Sequence, residues 1–137
     1  MRILLDSSVL IAALARPGVC TDLVDEISRN HQLVLSDYIL GEVDRKLREK
    51  FGLSQLEATA LVSGIRQLAE LVEPVTLPAA ACRDVEDLPI LGSAVAGGAG
   101  LLVTVDKDLL SLGEFRGIPI VKPGEFWKRN LGSSRER

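Results

Sequence analysis

Residues 1–18 read MRILLDSSVLIAALARPG, and the fold class turns on the first six. Ile3, Leu4 and Leu5 form an apolar run without alternation, the pattern of a short strand buried on both faces. Asp6 then sets a carboxylate where that run ends. VLIAALAR after it suits a helix, halted by Pro17 and Gly18. A buried strand that hands an acid to its C-terminal end and passes at once into a helix predicts a β–α alternation.

The rest of the chain continues it. A second helix is expected over Cys20 to Arg29, then a strand in HQLVLS, with Ser36 placed to cap a helix starting at Asp37. That helix puts Ile39, Leu40, Val43 and Leu47 on one stripe and ends near Gly52. Ser54 and Glu57 are spaced as a capping box that opens a helix running to about Val72, with a strand expected at Pro74 to Leu77. DVEDLPILGSAVAGG, residues 84–98, reads as a loop and then a helix with Pro89 in its first turn and a glycine pair at its end. GLLVT is a strand, DKDLLSL a short helix, IPIVK a strand, and GEFWKRN a last helical turn or two. The alternation predicts an α/β fold, a three-layer α/β/α sandwich with a central parallel sheet. One domain over residues 1–130 and a disordered tail over 131–137 are expected.

Composition narrows the function classes. The 137 residues are 47% hydrophobic and 26% charged, with net charge −3. No apolar stretch reaches the ~20 residues of a membrane span, and the start lacks a signal peptide's pattern, so the expectation is a cytoplasmic protein with no membrane association. Cys20 and Cys82 have no metal-spaced partners and read as buried reduced thiols rather than a zinc site or disulfide. The net charge argues against a broad basic grip on nucleic acid. Residues 128–137 nevertheless carry +3, which leaves −6 on residues 1–127. If such a chain binds a polyanion, metal ions must supply much of the local positive charge.

In a parallel sheet all strands end on one edge, and ligands bind there where the strand order reverses. Asp6 follows the first strand directly and Asp106 follows the strand GLLVT closely. If those strands are neighbours, the two carboxylates meet. Asp84, Glu86 and Asp87 precede a helix whose dipole favours negative charge, but first-turn capping accounts for only one of the three. Glu42 lies about 120° from the centre of its helix's apolar stripe. With Lys46 four residues on, it reads from the pattern alone as a solvated helix residue in an ion pair.

Taken together, LLDSSVLIAAL, SDYILGEVDRKL, DVEDLPILGSAVAGGAG and LLVTVDKDLL resemble the four ordered motifs of a PIN domain, over residues 1 to about 127. This is the small metal-dependent ribonuclease fold found in VapC-type toxins of toxin–antitoxin pairs. The resemblance implies that Asp6, Glu42, Asp87 and Asp106 are the catalytic and metal-binding acids, with Asp108 a helper and Asp84 an alternative third acid. It also implies an RNA substrate, an antitoxin partner and a homodimer. Ser8 stands where many members have Asn.

Two carboxylates about 5 Å apart repel by about 3 kcal/mol at an effective dielectric near 20. A cluster of hard oxygen ligands suits Mg²⁺ or Mn²⁺, which relieves the repulsion and binds phosphate. The expected function is metal-assisted hydrolysis of RNA phosphodiesters. Ser8 and Thr104 could orient a carboxylate or water; their simpler readings are a helix cap and a strand residue. His31, the one histidine, precedes a strand and reads as a surface residue. Arg45, Lys46, Arg48 and Lys50 read as a solvated face, and Phe126 and Trp127 as packing for the last helix. Two alternatives are a non-catalytic RNA-binding or regulatory module of this fold and a Mg²⁺-dependent phosphoryl-transfer protein. Within the second, a phosphatase would need an acid at Ser8, and a receiver domain acids at Ser7 and Ser36.

Overall fold

The computed structural model describes residues 1–16 and 18–135. Six strands form one sheet: β1 (Arg2–Leu5), β2 (Gln32–Leu35), β3 (Ala69–Leu71), β4 (Leu101–Val103), β5 (Glu114–Phe115) and β6 (Ile118–Val121). Their spatial order is β3-β2-β1-β4-β6-β5. Every pair is parallel except β5 with β6, so the sheet is mixed, with one short antiparallel edge strand. The helices are α1 (Ser7–Ala15), α2 (Val19–Asn30), α3 (Asp37–Phe51), α4 (Gln55–Leu68), α5 (Leu88–Ala96), α6 (Lys107–Leu112) and α7 (Pro123–Arg135). From β1 the chain steps outward through β2 to β3, then α5 brings it back to β4 on the other side of β1. Right-handed crossovers in opposite directions put helices on both faces, the expected three-layer sandwich.

The core explains the register. Ile3, Leu4 and Leu5 are fully buried, as are Leu33, Val34 and Leu35 beside them and Val103 opposite. Ser36 caps α3 through Ile39 N, and the helix ends at Gly52 with φ +69°, the left-handed C-terminal geometry that glycine favours. The Ser54–Glu57 capping box is present in both directions, 3.1 and 2.9 Å.

Several elements depart from the sequence reading. β3 lies at Ala69–Leu71 rather than Pro74–Leu77, because the chain leaves α4 early to pair with β2 at Leu33–Leu35. β5 was not expected; it is closed by a two-residue turn, Arg116 and Gly117, both with positive φ (50° and 83°), as a type I′ hairpin requires. α7 is longer than two turns and its backbone runs to Arg135, while Glu136 and Arg137, the end of the expected tail, lie outside the described residues. His31 is half-buried, not a surface residue. Its Nε2 donates to Asn130 Oδ1 at 3.1 Å, its ring meets Phe126 edge-on, and its Nδ1 is buried without a partner. Phe126 is buried and tied to Trp127 by a T-shaped contact. No single helix among the described residues is long and apolar enough to cross a membrane.

Candidate active site

The strand order reverses between β1 and β4, and the residues just past their C-terminal ends define the site. Asp6 N donates to Val103 O, which carries the β1–β4 pairing one residue beyond the strands. Asp6 is the N-cap of α1, the position expected for Ser8, with its Oδ1 accepting from Ser7 N at 2.7 Å. Its Oδ2 accepts from two hydroxyls, Ser8 Oγ at 2.8 Å and Thr104 Oγ1 at 2.7 Å. Thr104 Oγ1 also accepts from Asp106 N at 2.9 Å. One fully buried hydroxyl therefore joins the acid after β1 to the backbone of the acid after β4. Asp106 caps α6 through Oδ2 and Leu109 N, 3.0 Å. Ser8, where a phosphatase would need a second acid, thus serves the first one.

The third motif arrives from α5. Asp84 Oδ1 accepts from Glu86 N and begins a short 3₁₀ turn, which passes into α5 with Pro89 at its start. One carboxylate oxygen from each of Asp84, Asp87 and Asp108 lies within 4.8 Å of the other two. Asp84 and Asp87, the two alternatives for the third acid, thus lie in the same group. Asp6, Asp106 and Glu42 fall outside this closest set, although Asp106 and Asp6 both act on Asp87 through space. Burial first, then Asp106, Asp84, Asp6 and Asp108, push the Asp87 carboxyl up to about 7.

Glu42 is the largest departure from the pattern reading. Its side chain is only 12% exposed, so it is not a solvated helix residue. Lys46 and Arg45 approach no closer than 4.0 and 3.9 Å, and Oε1 is buried with no hydrogen-bond partner among the described residues. Burial raises its carboxyl above the ordinary range, Lys46 and Arg45 oppose this, and the field of Asp6 adds to it. Tyr38, one turn earlier on α3, donates to Glu86 O at 3.0 Å and ties this helix to the acidic loop. The sequence offered no sign of that link. Arg48 pairs with Asp44, and Arg45 with Glu49 as well as Glu42, consistent with the solvated face expected there.

A sequence profile of the PIN domain matches residues 2–108. The chain belongs to the PIN domain family. No curated protein sequence matches it significantly. In solved structures this PIN domain is similar to VapBC2 of Rickettsia felis, bound to a DNA fragment from its promoter, at 13% identity, TM-score 0.65, covering 89% of this chain and 98% of that one. It is similar to VapBC-1 of nontypeable Haemophilus influenzae at 16% identity, TM-score 0.64, covering 90% and 99%. It is similar to the sarcin-ricin loop cleaving VapC20 toxin of Mycobacterium tuberculosis at 16% identity, TM-score 0.59, covering 85% and 98%. At these identities the likeness is one of fold, and the PIN domain's chemistry is argued from its own residues.

Those residues fit a divalent cation. The donors are all carboxylate oxygens, three of them converge, and outside that set Glu42 Oε1 is buried with no partner among the described residues. Such a set of hard oxygen donors is the kind that divalent cations take.

Proposed function

We propose that this PIN domain is a Mg²⁺- or Mn²⁺-dependent endoribonuclease, the toxin component of a cytoplasmic toxin–antitoxin pair, working as a homodimer on RNA. The observation that carries the nuclease reading is the approach of Asp84 and Asp87 to Asp108, within 4.8 Å of one another, with Asp6 and Asp106 close enough for their charges to act on Asp87. The toxin and antitoxin parts rest on likeness to the VapBC structures, and the dimer on the family resemblance alone.

Asp84, Asp87 and Asp108 would hold the cation, with Asp6 and Asp106 completing the acidic wall. When bound, the cation supplies Lewis-acid activation of water and neutralises charge on the phosphate. The protein's own part is positional. Ser8, Thr104 and the Ser7 amide lock the Asp6 carboxylate in one orientation, so no reorganisation is needed when substrate arrives. Glu42, only 12% exposed, would add its charge to this wall, with no hydrogen-bond partner for its Oε1 among the described residues. Burial raises its carboxyl, and Lys46 and Arg45 offset part of that rise.

The test is cleavage of total RNA by purified protein. Cleavage is expected with Mg²⁺ or Mn²⁺ and absent in excess chelator. Asp6→Asn, which removes an outer partner of the acid set, is expected to lower it about ten- to a hundredfold. Undiminished cleavage in the variant, or cleavage in excess chelator, would overturn the reading.

A further inference from the structure

The acidic edge repels the polymer it is read as cutting, so substrate must be held by cations nearby. Glu42 and Glu49 engage Arg45, Glu42 also engages Lys46, and Asp44 engages Arg48, which leaves little positive charge on α3 near the site. The other flank differs. A groove of about 590 Å³ runs between α6, β6 and α7, with Leu110 and Ile120 among its lining residues and Lys122, Lys128 and Arg129 as its cations. Arg129 is occupied by Glu125 at 3.4 Å. Lys122 and Lys128 are exposed and form no ion pair among the described residues.

The position of Lys122 matters most. It directly follows Val121, whose carbonyl accepts from Thr104 N at 3.0 Å, so it emerges from the sheet edge that carries Thr104 and Asp106. Lys128 lies six residues further along the chain, about 9 Å at helical rise. Two free cations therefore lead away from the acid cluster beside an aliphatic floor, with no aromatic face among the groove's lining to stack a base. That chemistry suits the charged backbone of a nucleic acid rather than its bases.

We infer that the α6–β6–α7 groove is the track for the substrate's sugar-phosphate backbone, with Lys122 and Lys128 each neutralising one phosphate next to the cleavage site. This rests on the ribonuclease reading for the site it serves, but it is tested by binding. In Asp6→Asn protein with Mg²⁺, binding of a fluorescein-labelled single-stranded oligoribonucleotide is measured by anisotropy as KCl is varied. Each phosphate contact contributes about 0.7 to the slope of log K against log salt for a single strand. Adding Lys122→Gln and Lys128→Gln should therefore reduce the slope by about 1.4. Lys50→Gln, the same charge change at the far end of α3, should leave it unchanged. With Asp6 intact, the double variant should raise KM and spare kcat.

An unchanged slope, or an equal change from Lys50→Gln, would overturn the track and leave the groove to another occupant, such as an acidic polypeptide. Cleavage by the native protein with an unchanged slope would sink the track alone. Absence of cleavage with the slope reduced as stated would sink the nuclease reading and keep the track.

Discussion

Asp6 and Asp87 stand at the same sheet edge and are buried to a similar degree, 3% and 8% exposed, yet the protein treats them in opposite ways. Asp6 is surrounded by donors: the Ser7 amide and the Ser8 and Thr104 hydroxyls. Asp87 has no donor in hydrogen-bond reach among the described residues, and faces Asp84, Asp106 and Asp108 instead. A buried carboxylate is stabilised by hydrogen bonds to its charged form, or it takes up a proton or a cation. The first acid is thus held by the scaffold's own donors, while the third is left to the field of its neighbours.

The largest effect that tests this contrast is metal-induced stabilisation. At pH 8, Mg²⁺ or Mn²⁺ at a hundred times its Kd should stabilise the native protein by about 2.7 kcal/mol. Thermal melts should show most of this lost in Asp87→Asn and Asp84→Asn. Equal stabilisation in native protein and Asp87→Asn would break the contrast.

Next comes the scaffold side. Thr104→Val removes a donor to Asp6 and the acceptor of Asp106 N, and leaves buried groups unpaired at a cost of about 1–3 kcal/mol. Urea denaturation without metal measures it, and an unchanged midpoint would mean that the hydroxyl bridge is not made in solution.

The last effect is a pH slope, spread over several pH units. Asp87 titrates near 7 in the folded chain against 3.8 as a free side chain. Between those values the folded state keeps a proton that the unfolded state has lost. The corresponding stability is complete below about pH 4 and fades as pH rises through 7. Metal-free native protein should therefore lose stability from pH 5 to pH 8 relative to Asp87→Asn. A parallel pair of curves would show that Asp87 is not crowded.

Much of this was legible in advance, for a physical reason. Parallel strands in an α/β fold are continuous apolar runs, and such runs announce where they stop, so Asp6 and Asp106 could be placed at one edge before any coordinates. Periodicity failed where tertiary pairing overrode it: Leu68, Leu71 and Val72 keep a helical spacing, but β2 draws Ala69–Leu71 into the sheet. Glu114 and Phe115 are too few to show a period at all. Within the site, Glu42 looks solvated on the wheel because its helix is buried on two sides, one of them by the loop that Tyr38 holds. Thr104 and Ser8 were ambiguous because a hydroxyl near a helix start or strand end has the same local signature whether it serves the backbone or a distant acid. The family resemblance supplied Glu42 and Asp87, while the mutual approach of Asp84, Asp87 and Asp108 needed coordinates.

The glycine-rich third motif has a consequence for anyone hoping to harden this molecule. At position 92 an added Cβ would come closer than 3.0 Å to the Val75 carbonyl oxygen, and the Gly92 carbonyl accepts from Val75 N at 3.2 Å. Alanine would improve the intrinsic helicity of α5 by about 1 kcal/mol, but only by prising the Pro74–Leu77 strap off the helix that carries Asp87. The residue that weakens α5 as an isolated helix is the one that lets it be clamped, so Gly92→Ala would loosen the acidic edge that the strap holds in place.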